Sequence, residues 1–247
     1  MRLLKSALLA FVVVSAAAAQ APDPPLSDTR LTVHTLVRED IFAGFREENL
    51  ERLSKGEKNI ETLLRERPDQ RANLLAWKAG AETYRAVRAH EARQPDEFAR
   101  RFAAALDGFA AAAKLESGNE GVAAITGGTL VTFADRLPEK VRAAAWSQAY
   151  DNYSLLWKQQ GRGIEKMPLH HKGEVLAGMA QSAQRTGRSE ESAQFVDRML
   201  TMLADTQYEA TAKHWKADPA SAATTNLTCK NCHNAGRLSN RLAALEK

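Results

Sequence analysis

The chain has 247 residues, 44% hydrophobic and 26% charged, a balance that excludes both an intrinsically disordered chain and a body made of membrane spans. Its net charge is +4, and setting aside Arg2 and Lys5 with residues 1–19 leaves 32 basic against 30 acidic side chains. The basic residues run along every predicted helix interleaved with Glu and Asp, the pattern of a solvated helical surface, so no nucleic acid partner is expected.

Residues 1–19 read as a cleaved signal peptide. Arg2 and Lys5 form a short positive segment, Ala7 to Val14 an apolar run, and Ala17, Ala18 and Ala19 a small-residue site before Gln20. The run is shorter than the roughly 20 apolar residues that cross a bilayer, and no later stretch reaches that length. The mature chain is therefore expected to lack a transmembrane segment and to work in the periplasm or outside the cell. An uncleaved N-terminal anchor is the competing reading. Residues 20–27 continue as a Pro-rich leader containing Pro22, Pro24 and Pro25, stiff and extended.

An all-α domain is predicted over 28–217. Apolar residues recur there at spacings of three and four, and no run alternates with period two between hairpin turns. Helix boundaries are expected at Arg67-Pro68-Asp69, Gln94-Pro95-Asp96, Ser117-Gly118-Asn119, Leu137-Pro138, Gly161-Arg162-Gly163 and Gly187-Arg188-Ser189. Ser54 with Glu57 has capping-box spacing, and Asp96 and Ser189 stand where an N-cap oxygen is useful. A longer connection is expected around Met167 to His171, and a flexible one over Asp218 to Thr225.

A weak internal repeat runs through this region. Trp77, Gly80, Ala81 and Tyr84 form one first-helix pattern, followed by Ala105, Phe109 and Ala112 in a second helix. Leu176, Met179, Ala180 and Ala183 form another, followed by Ser192, Val196 and Met199, and Gly56, Ile60 and Leu63 ahead of Pro68 form a half-copy. Over roughly residues 40 to 205 the chain resembles the tetratricopeptide repeat family. The resemblance implies antiparallel helical hairpins stacked as a degenerate solenoid, with a surface that can take a peptide or protein partner. A less regular bundle of similar helices is the alternative.

The chain's two cysteines stand together in Cys229-Lys230-Asn231-Cys232-His233, within a C-terminal segment, 218–247, expected to be a connection and a final helix. This is the C-x-x-C-H attachment motif of c-type haem. The two thiols must reach two vinyl groups on one edge of a rigid macrocycle, and the adjoining imidazole must swing beneath the iron. Two intervening residues within a helical turn meet both demands, so Cys229 and Cys232 are expected to hold one covalent haem c and His233 to be its iron ligand. An export signal agrees with this, because thioether-linked haem is attached outside the bacterial cytoplasm. A disulfide or redox dithiol, and a zinc site, compete for the same residues.

Only 14 residues follow His233, and they hold no Met or His, unlike small cytochromes c in which a methionine ligand comes later. The segment with Arg237 four places beyond His233 instead resembles the last helix of the cytochrome c′ family. On a helix Arg237 lies one turn from His233 on the same face, close enough to meet the haem edge, a propionate or the proximal imidazole, and an exposed charge on a terminal helix is the equal alternative. Leu238 and Leu242 can add an apolar wall. For the distal side the candidates are His34, His90, Met167, His170, His171 and His214, or no ligand at all.

The expected function is one-electron transfer to a redox partner protein of unknown identity. No catalytic base, carboxylate pair or nucleophile stands out, so no enzyme is expected. Two rival functions are a protein-interaction scaffold with an accessory haem, and a haem protein that binds small gases.

Overall fold

A computed structural model of the chain describes residues 25–223. Nine α-helices occur among these residues: α1 (Val33–Glu47), α2 (Leu50–Glu66), α3 (Arg71–Glu91), α4 (Pro95–Leu115), α5 (Glu120–Phe133), α6 (Glu139–Gln160), α7 (Leu169–Arg185), α8 (Ser189–Met202) and α9 (Glu209–Ala217). Short 3-10 turns cover Pro68–Gln70, Ala134–Arg136, Gly161–Lys166 and Pro219–Ala223, and the described residues include no strand. The all-α expectation is met.

The helices pack in sequence as pairs, α1 on α2, α3 on α4, α5 on α6 and α7 on α8, while α1, α3, α5 and α7 also pack on one another in that order. Burial separates the two members of each pair. Along α2 only Leu53, Gly56, Ile60 and Leu63 are buried, and along α4 only Phe98, Ala105, Phe109 and Ala112, each a single stripe. In contrast α3 buries Leu74, Trp77, Gly80, Ala81, Tyr84 and Val87 among others, and α7 buries every residue from Val175 to Ala183. Helices α1, α3, α5 and α7 form an inner layer hemmed in on several sides, and α2, α4, α6 and α8 cover it.

Small residues make that density workable, and aromatic ones fill what is left. Phe45 of α1, Tyr84 of α3 and Phe133 of α5 meet with ring centroids 4.9 to 5.4 Å apart, joining three inner helices. Each such ring pair contributes about 0.5–1.5 kcal/mol beyond area burial. Charged clamps link consecutive pairs: the Arg136 guanidinium meets Glu91 at 2.7 Å, and the Arg185 guanidinium of α7 meets Asp135, which also accepts from the Trp146 indole at 3.0 Å. Arg67 fixes the entering chain by donating to the carbonyls of Leu26, Asp28 and Leu31.

The Pro- and Gly-marked boundaries fall where they are expected. Pro68 opens a 3-10 turn, Pro95 is the first residue of α4, Asn119 caps α5, and Pro138 precedes α6. Gly187, at φ 76°, ends α7 with the Arg188 N–H donating back to Ala183 at 2.9 Å, a left-handed stop that glycine takes without strain.

Three capping expectations are corrected. Asn49, not Ser54, caps α2, accepting from the Arg52 N–H at 3.0 Å; Ser54 and Glu57 lie inside the helix and bind Arg85 of α3 instead. Asp96 is the second residue of α4 and Ser189 the first of α8, so neither occupies a cap position. The connection before α7 is also shorter than expected, because His170 and His171 already belong to the helix.

Candidate functional site

The expected haem-attachment residues Cys229, Cys232 and His233, with Arg237, Leu238 and Leu242, lie outside the described residues, as does the signal segment 1–19. The first part of the connection expected to be flexible, Pro219–Ala223, is a docked 3-10 turn: Ala222 is buried, its carbonyl accepts from the Gln181 side chain of α7 at 3.1 Å, and Ser221 closes onto the Asp218 carbonyl at 2.6 Å. Trp215 of α9 is buried beneath the same corner, and Tyr208 lies against Gly173 of α7. The described chain therefore ends against the flank of α7.

Toward the start of α7 stand His170 and Glu174, one helical turn apart, with His170 Nε2 3.4 Å from Glu174 Oε2. The other carboxylate oxygen faces the inner layer. A methyl placed on Gly128 of α5 would lie 3.6 Å from both Glu174 Oε1 and the Tyr153 hydroxyl of α6. Burial pushes the Glu174 carboxyl up to about 7, and the Arg38 guanidinium of α1 pulls in the opposite direction. Its side chain keeps 30% exposure, so the carboxyl stands in a hollow, crowded by protein yet touched by water. Glu174 of α7 and Tyr153 of α6 thus both face Gly128 of α5, and the carboxyl feels the Arg38 charge of α1.

Arg38 belongs to an unusual stretch of α1. Arg38, Glu39 and Asp40 are consecutive and all buried. Arg38 meets Glu39 at 3.2 Å, while Asp40 reaches across to Arg52 at 2.8 Å and Lys55 at 3.6 Å on α2. One turn before Arg38, the His34 ring lies tilted on Trp77 of α3 with centroids 5.0 Å apart. Among the described residues the Trp77 indole N–H and the Thr126 hydroxyl of α5 are buried without a hydrogen-bond partner, two polar groups left unpaired within the inner layer.

The remaining candidates scatter. His90 sits against Phe98 at 5.8 Å within the α3–α4 pair; His171 and His214 are exposed; Met167 packs partly buried against the core just before α7. No cluster of three or more His, Cys, Asp or Glu able to hold a metal occurs among the described residues. A polar depression of about 350 Å³ between α2, α3 and α4 is lined by Glu57, Glu61, Lys78, Glu82, Arg85 and Arg101. Its charges are paired off as Lys78–Glu61, Arg85–Glu57 and Arg101–Glu82, which makes it a helix-to-helix clamp.

Sequence reasoning missed Glu174, Arg38 and Tyr153. The His170–Glu174 spacing of four was visible in the chain, but it becomes a pair only if α7 starts before His170.

Fold and site together define an all-helical protein of consecutively packed helix pairs. No family model, curated protein or solved structure matches the chain.

Proposed function

We propose that the protein is an exported monohaem c-type cytochrome that passes single electrons, its helical pairs forming a tetratricopeptide-like body that supports and shields the haem. The observation that carries this reading is the run Cys229-Lys230-Asn231-Cys232-His233, which unites the chain's two cysteines with a histidine at the attachment spacing. Cys229 and Cys232 hold the porphyrin through thioethers, and His233 ligates the iron from one side. When bound, haem supplies an iron that cycles between Fe(III) and Fe(II), so one electron enters and one leaves with no substrate bond made or broken.

Apolar and aromatic residues, Trp215 among them, are buried in the core that the described chain joins at Ala222. The helical body keeps much of the macrocycle from water and offers a surface to a redox partner protein. Residues 1–19 direct the chain to the periplasm, where haem is attached, and mature protein is expected to begin at Gln20.

The test is expression in a host that makes c-type cytochromes, followed by a denaturing gel stained for haem. A stained band at the mass of the mature chain is expected, lost in the Cys229→Ala, Cys232→Ala double variant. An unstained wild-type band, or a Cys229–Cys232 disulfide in protein from its native source, overturns the assignment.

A further inference from the structure

The helices that cover the inner layer turn one side outward, and those outward sides differ. Over residues 51–65 of α2 every exposed side chain is charged, from Glu51, Lys55 and Lys58 to Glu61 and Arg65. Over residues 99–115 of α4 every exposed residue is alanine or leucine except Arg100, Asp107 and Lys114. Leu106 and Leu115 are 42% and 53% exposed. A contiguous apolar face with a few charges set along it marks a contact surface. We propose that the outward face of α4 docks a second copy of this chain, the two helices running antiparallel about a two-fold axis that passes between Ala103 and Ala104.

The order of the charges points to that occupant. Arg100, Asp107 and Lys114 recur every seven residues, so at about 100° per residue they lie nearly in line along the middle of the face. Their signs alternate. In an antiparallel pair, positions equally far from the axis face each other, and Arg100 and Asp107 are equally far from a point between Ala103 and Ala104. Each Arg100 guanidinium therefore meets Asp107 of the second copy, and the contact is made twice. Asp96 also comes within about one turn of Lys114 of the second copy, a further attraction at each end. A parallel pair would set Asp107 against Asp107 and Arg100 against Arg100, like charges that oppose it.

These groups are available. Among the described residues Asp96, Asp107 and Lys114 make no ion pair, and Arg100 meets Glu97 of its own helix at 2.6 Å on the surface. Ala103 and Ala104 at the axis let the two backbones approach to about 8 Å. The helix then overlaps its copy over residues 95–112, about 27 Å. Pairing Asp107 with Lys114 of the second copy would move the axis between Ala110 and Ala111 and leave only residues 106–115 overlapping, a much shorter contact. A single helix face is smaller than a permanent dimer needs, so the association is reversible and grows with concentration.

Sedimentation equilibrium of the full chain tests it, at concentrations from micromolar toward millimolar. The average mass is expected to climb from one chain toward two. Asp107→Arg and Arg100→Asp are each expected to raise the dissociation constant about tenfold, and the double variant, Arg100→Asp with Asp107→Arg, to restore it. Asp151→Lys, an exposed charge reversal on α6, is expected to leave it unchanged. All of these positions are exposed, so the fold survives the changes. Under oxidation Ala103→Cys is expected to give a disulfide-linked dimer above the wild-type level, because it lies beside its own copy at the axis. Ala110→Cys, about 20 Å from its copy, is expected not to. A monomer at every concentration, a dimer indifferent to both charge reversals, or linking through Ala110→Cys in place of Ala103→Cys overturns the proposal. So does a monomer in which Ala110→Cys resists a thiol reagent, since the face is then covered by the chain itself.

Discussion

At Gly178 a Cβ would come within 2.2 Å of the Tyr153 ring, and at Gly173 within 2.3 Å of Tyr208, in both cases against the body of a buried aromatic that has nowhere to go. Overpacking of this kind usually costs about 1–3 kcal/mol. Gly178→Ala is therefore expected to lower the unfolding free energy from urea titration by that amount, while Gly163→Ala, with nothing within 4 Å, leaves it unchanged or slightly raised; equal unfolding free energies for the two variants would contradict the packing. Glu174 makes a second residue-scale case. Its carboxyl is raised from 4.5 to about 7 by burial, so the folded chain holds the proton more tightly than the unfolded one. The stability tied to this group is whole below about 4.5 and is lost as pH rises through about 7. The loss is on the order of 1–3 kcal/mol, trimmed by the water that reaches the side chain. Wild type should lose stability between pH 5 and pH 8 relative to Glu174→Gln, and parallel curves in chemical denaturation at the two pH values would refute it.

The ends of the helices show which elements could be read from sequence. Pro68, Pro95, Pro138 and Gly187 act on the backbone directly, by fixing φ or by accepting a left-handed turn, and such punctuation is local and legible. Other stops carry no such mark. Glu48 ends α1 at φ 55° and Arg93 follows α3 at φ 57°, both non-glycine residues in the left-handed region, held there because the next N–H bonds back into the helix. Those bonds run from Asn49 to Ala43 at 3.2 Å and from Gln94 to Ala89 at 2.9 Å. These stops carry neither Pro nor Gly, so the α1–α2 boundary was missed and Ser54 was mistaken for its cap. The strain is testable. Arg93 is exposed, and Arg93→Gly is expected to stabilise the chain by about 0.5–1 kcal/mol, since the left-handed penalty for a side chain outweighs the added freedom of the unfolded state. A lower melting temperature in that variant would show that Arg93 is held by contacts worth more than the strain.

For the whole molecule, legibility divides along the same line between local and assembled features. The attachment motif is five consecutive residues because its chemistry joins two neighbouring thiols and one imidazole to a single edge of a small molecule, and it can be read without a structure. The hollow around Glu174 is drawn from positions 38, 128, 153, 170 and 174, and nothing in the chain announces that α1 and α7 share it. The global packing is nonetheless close to one-dimensional: each pair leans mainly on the next, from α1–α2 through α7–α8. In such an array stability is roughly a sum of unit and interface contributions, and opening proceeds in parts. Leu53 is fully buried against Gly44 in the α1–α2 pair, so Leu53→Ala removes about 2–5 kcal/mol there. Native-state hydrogen exchange should then show the amides of α1 and α2 losing most of their protection while those of α7 and α8 keep theirs. A uniform loss across all four helices would mean that the shared inner layer, tied together by Phe45, Tyr84 and Phe133, makes the chain a single cooperative unit in spite of its serial construction.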